Sequence, residues 1–223
     1  STGTGGGFQF FCASVGEEHP DFTNASRAIK ASEFDLCAQN GVTAITEIKV
    51  GFDGLTFAQS KDGIEIAVTK AQLFQALAKE VEVDGQVVAN PYQNWSQIDA
   101  SLPDEEIEIL GPPPTSGTRD SWVELVMVPG CGAFPAIKAL ADTDKDRHEA
   151  VCETMREDGR FIEAGENDNL IVQRLEANHA AFGIFGYSFL EENVDKLSGV
   201  AIEGVAPTFE TISAGEYKVS RPL

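Results

Sequence analysis

Two turns built from glycine and hydroxyl residues constrain this chain most: Ser1-Thr2-Gly3-Thr4-Gly5-Gly6-Gly7 and Thr115-Ser116-Gly117-Thr118. Each runs directly into a stretch of helical character, and more than a hundred residues separate them. Glycine lets the backbone approach a ligand closely. The first N–H groups of a helix have no carbonyl one turn back, and the helix dipole adds positive potential there. Each turn therefore reads as a cradle for a small anion.

The rest of the chain alternates strand and helix signals, which defines an α/β class with mostly parallel pairing. Ser32 is placed as the cap of a helix through Glu33, Phe34, Leu36 and Cys37, with Gly41 as its stop. Val42 to Val50 alternates like a strand, and Leu55 to Ala58 follows an Asp53-Gly54 turn. Thr69 and Gln72 form a capping box that opens a helix to about Val81. Asn94-Trp95 reads as a polar loop. Strands are expected at 107–110, 160–163, 181–186, 200–204 and 217–219, and helices at 119–126, 134–140, 144–156 and 169–175.

The net charge is 16 − 36 = −20, which argues against a nucleic-acid partner, since such binding needs Lys and Arg on the phosphates. A small bound anion answers instead to a few aimed N–H groups, so surface acidity does not oppose it. No apolar run approaches the roughly 20 residues of a membrane span.

Cys12, Cys37, Cys131 and Cys152 form no CxxC pair, and His19, His148 and His179 are scattered, so no metal site and no cofactor are expected. The even count and the local spacings suit two disulfides in an oxidising compartment. The preferred pairs are Cys12–Cys37 and Cys131–Cys152, with four buried free thiols as the alternative.

A tetrahedral oxyanion needs many donors in a small volume. Thr4 at the first turn, and Ser116, Gly117 and Thr118 at the second, supply hydroxyls and amides. Ser26-Arg27 adds a hydroxyl and a guanidinium whose fork matches two oxyanion oxygens. Asp53 is the candidate acceptor for the proton of a monohydrogen phosphate, which would reject sulfate; its plainer reading is a turn aspartate. Asn167 and Asp168 are read as helix caps. No GxSxG, HExxH or GxxxxGK[ST] motif occurs, so the chain is not expected to be an enzyme.

Five segments in order resemble the phosphate-binding receptor of the high-affinity phosphate ABC transporter. They are Ser1 to Phe8, Thr23 to Lys30, Phe52 to Leu55, Thr115 to Thr118, and Gly165 to Asp168 followed by Ala180 to Gly186. The resemblance implies a periplasmic-binding-protein fold of type II, with two lobes that close like a hinge. It implies phosphate held by Thr4, Ser26, Arg27, Ser116, Gly117 and Thr118, and permease subunits as partners. A monomer exported to the periplasm is implied as well. Lobe I is expected over 1–58, lobe II over 59–216, and 217–223 as the start of a return to lobe I. Relative to the family the segment is truncated at both ends. Some members carry Asp where Arg27 stands and Arg where Pro112 stands, so the charges here are redistributed. The competing readings are a receptor for sulfate, molybdate or a phosphonate, and a secreted phosphatase-like enzyme.

Overall fold

The structure, a computed structural model, describes residues 3–25, 27–164 and 168–222. It divides into two compact units, one formed by 1–53 with 221–223 and the other by 54–220.

The first unit holds α1 (Gly3–Phe11) and α2 (Ala31–Gln39), joined by the Cys12–Cys37 disulfide. The Asn40 side-chain amide donates to the Cys12 carbonyl at 2.8 Å, and Phe8 is buried. The glycines of the first turn lie inside α1, so Thr4 belongs to the opening turn of the helix and does not precede it. A Cβ at Gly7 would sit 2.5 Å from Thr23 Oγ1, so a larger residue there would have to displace the Thr23 side chain. The cap of α2 is Lys30 and not Ser32, because Glu33 reaches back to accept from the Lys30 amide at 2.9 Å. Residues 42–50 form no strand; both alternating sets face solvent, so the pattern has no core to bury against.

The second unit is built on a mixed sheet, starting with β1 (Phe52–Ser60). Asp53 and Gly54 lie within this strand and make no turn. Glycine is required at 54 because a Cβ would meet Ile212 Cδ1 at 2.5 Å. Next come β2 (Ala67–Val68) and α3 (Lys70–Leu77), capped by Thr69, whose hydroxyl accepts from the Gln72 amide. A hairpin of β3 (Glu80–Val83) and β4 (Gln86–Ala89) takes the place of the expected last turn of α3. Asn94-Trp95 is no loop: Trp95 opens the short α4 (Trp95–Ile98) and is fully buried.

After β5 (Ile109–Gly111) comes one continuous helical run, Gly117–Cys131. Its parts are α5 (Gly117–Trp122), a π-helical turn over Val123–Met127, and α6 (Val128–Cys131). α7 (Pro135–Thr143) and α8 (Lys145–Glu153) follow, and the Cys131–Cys152 disulfide ties α6 to α8. The remaining elements are β6 (Phe161–Glu163), α9 (Asp168–Ala177), β7 (Phe182–Gly186), α10 (Tyr187–Glu192), β8 (Leu197–Gly199), β9 (Ala201–Ile202), α11 (Phe209–Ser213) and β10 (Ser220–Pro222).

β5 pairs parallel with both β6 and β7, while β1 pairs antiparallel with β7 and β8. Both faces of this sheet are covered, which the strand alternation shows. Leu55, Phe57, Ile109, Phe182 and Ile184 enter one apolar cluster; Ala58, Leu110 and Phe185 enter the other. The first cluster centres on aromatics: Phe57 stacks on Phe182 at 4.8 Å, and Trp95 meets Phe182 edge-on at 5.3 Å. Among the described residues no single helix is long and apolar enough to cross a membrane.

Candidate functional site

In the second unit, β5 ends at Gly111, and residues 112–115 turn the chain into the helix that begins at Gly117. The carboxyl end of a buried strand is where α/β sheets present ligand sites. Ser116 is the N-cap, with extended backbone, and its hydroxyl accepts from the Thr118 amide at 3.2 Å. That hydroxyl keeps its own proton to donate. Gly117 faces open space, with nothing within 4 Å of a Cβ position. The three predicted donors of this turn are therefore adjacent at a helix N-terminus.

Arg119, which follows them directly, was missed from sequence. Its guanidinium donates to the Pro112 carbonyl at 3.2 Å and lies 4.6 Å over the Phe161 ring. Burial pushes its pKa below the ordinary guanidinium range, while Glu163, Asp120 and Glu157 act in the opposite direction. A cation in the first turn of a helix opposes the helix dipole. That mismatch was the signal available in the sequence.

In the first unit, Gly5 and Arg27 come together: Arg27 Nη2 lies 3.8 Å from a Cβ position at Gly5. The guanidinium also sits 5.7 Å over the Phe8 ring. Its fork meets both oxygens of Glu33, at 2.8 and 2.7 Å, and donates to the Ala28 carbonyl at 3.0 Å. The Arg27 hydrogen bond holds the Glu33 carboxyl below its usual range. Asp53 faces Arg221, whose Nη2 is 3.3 Å from Asp53 Oδ2. Ser26 lies outside the described residues, as do the cap at Asn167 and the 165–167 part of the motif that precedes α9.

The four cysteines pair as expected, Cys12 with Cys37 and Cys131 with Cys152. The π-helical turn in the helix after Ser116 had no sequence signal; such turns often accompany functional sites.

These features define an α/β domain that offers a hydroxyl-capped helix N-terminus at the end of a buried strand. The chain belongs to the PBP superfamily, whose domain model matches residues 1–223. Over its full length it is 31% identical to a phosphate-binding protein PstS from Staphylococcus saprophyticus, and 29% identical to the protein SphX from Synechococcus elongatus. It covers 58% and 56% of those two proteins, so it spans a little over half the length of these curated relatives. A crystal structure from Planctomyces limnophilus, described as a possible phosphate binding protein, superimposes with a TM-score of 0.69 at 30% identity. That match covers 99% of this chain and 67% of the other. PstS from Borrelia burgdorferi shares the fold, with a TM-score of 0.58 at 20% identity over 89% of this chain and 63% of the other.

Proposed function

We propose that the chain is part of a receptor that captures inorganic phosphate and delivers it to the permease subunits of an ABC importer. The observation that carries this reading is the Ser116-Gly117-Thr118 helix start, in a chain whose relatives include phosphate-binding proteins. A dehydrated oxyanion needs donors already in place, and a capped helix start supplies amides and hydroxyls without reorganisation. Ser116, Gly117 and Thr118 donate from the second unit. Thr4, Ser26 and Arg27 donate from the first, and Asp53 accepts the phosphate proton. The lobes run over 1–58 and 59–216, with 217–223 returning to the first. The role is binding without turnover, by an exported monomer in the periplasm.

Calorimetry on the full-length protein tests this. Phosphate should bind at one site, with sulfate, molybdate and a phosphonate each at least tenfold weaker. Equal binding of sulfate would turn the reading to a general oxyanion receptor. Steady hydrolysis of a chromogenic phosphate ester, lost on Ser116→Ala, would turn it to an enzyme.

A further inference from the structure

Away from the anion-binding residues, the Cys131–Cys152 disulfide carries an imidazole against it. His148 and Cys152 are four residues apart on one face of α8, and His148 Nε2 lies 3.5 Å from Cys152 Sγ. Cys131 arrives from α6, and the three ligand atoms lie within 4.8 Å of one another. His148 and Cys152 line a surface pocket with Lys145 and Glu149, whose side chains pair at 3.5 Å.

We propose that these three residues form a redox-gated site for a thiophilic divalent cation such as Zn2+, closed while the disulfide stands and opened by its reduction. A tetrahedral zinc with bonds of about 2.3 Å to sulfur and about 2.0 Å to nitrogen spaces sulfur and nitrogen roughly 3.5 Å apart. The His148–Cys152 pair already has that spacing. Two zinc-bound sulfurs stand about 3.8 Å apart, which a disulfide cannot reach. Oxidised, the pair therefore offers no thiolate and no room for the ion.

An external dithiol opens the site. It transfers two electrons and two protons to the disulfide, giving two thiols, and itself leaves as a disulfide. The cation then replaces the two thiol protons, so two protons are released per ion bound, and His148 coordinates through Nε2. The fourth position opens on the pocket and takes water. Two sulfurs and one imidazole suit zinc over the hard cations calcium and magnesium. At the other disulfide, Cys12–Cys37, no metal-ligating cluster of this kind occurs among the described residues.

The full-length protein, reduced with a phosphine and desalted without oxygen, is titrated with Co2+ and then Zn2+. One ion per chain should bind with a thiolate charge-transfer band and release of two protons. Affinity should be at least tenfold above that of the oxidised protein, and His148→Ala should lower it at least tenfold. Equal binding by the oxidised protein, or an unchanged affinity in His148→Ala, overturns the proposal. So does a reduced chain whose circular dichroism is lost and not restored by the metal.

Discussion

Asp53 and Arg221 stand 168 positions apart in sequence, yet their side chains meet at 3.3 Å. The carboxylate proposed to sort phosphate from sulfate is thus held by a cation from the last strand. A neutral amide at 53 can donate to an unprotonated oxyanion where a carboxylate repels it. Asp53→Asn in the full-length protein should raise sulfate affinity at least tenfold, equivalent to about 1.4 kcal/mol. Competition calorimetry reads this, and unchanged selectivity removes Asp53 from the sorting role.

The capped helix start gives a second test, because Ser116 caps the helix and is also a proposed phosphate donor. Ser116→Ala loses the acceptor for the Thr118 amide and should cost roughly 1 kcal/mol in urea denaturation. Ser116→Gly should restore most of that stability, since glycine is a tolerable cap. Neither variant keeps the hydroxyl donor, so both should bind phosphate about tenfold more weakly. Arg119→Ala should weaken phosphate further and reduce the salt sensitivity of binding. If Ser116→Gly binds like wild type, the hydroxyl does not touch the anion.

The Arg27–Glu33 pair predicts an acid limb in stability. Arg27 depresses the Glu33 pKa in the folded chain, so folding is favoured above the unfolded carboxylate value. That contribution should fall away as pH drops from about 4.5 through the lower folded value. Glu80, bidentate with Arg147 at 2.6 and 2.7 Å, behaves in the same sense. Glu33→Gln should flatten part of the stability-against-pH curve below pH 5 and cost roughly 1 kcal/mol at pH 7. A curve parallel to wild type down to pH 3 contradicts this.

Gly130 lets α6 pass close to α3. A Cβ there would overlap the Lys70 carbonyl, which is backbone and cannot swing aside. Gly130→Ala should therefore destabilise the second unit by about 1–3 kcal/mol, despite alanine's better helix propensity. A thermal midpoint equal to wild type would show that α3 gives way freely.

Local chemistry was readable in the sequence and long-range pairing was not. Thr69 announced its helix because a hydroxyl cap with Gln72 three residues on is a short-range device. The cysteine pairs were readable because each closes a short loop, with separations of 25 and 21. Residues 42–50 misled because alternation reports a strand only where one face has something to bury against. Gly54 looked like turn chemistry, but Ile212, distant in sequence, is what demands it. At the candidate site, the Ser116 turn was legible as a continuous motif. Arg221 as the partner of Asp53, 168 positions away, depends on tertiary approach, which no local pattern encodes.

The π-helical turn at Val123–Met127 sets how the two ends of its helix are aimed. Each α-helical residue advances the side chains by about 100°, so a single additional residue acts as a fixed angular offset. Upstream of it, the polar start from Ser116 to Arg119 is aimed by one phase. Downstream, Gly130 and Cys131 are seated against α3 and α8 by another. Deleting one residue there would remove that offset and force a choice: the proposed donors turn by about a quarter of a circle, or the core end unseats. The angle at which the proposed donors would meet an anion is in this sense written in one peptide unit, more than one helical turn away from any of them.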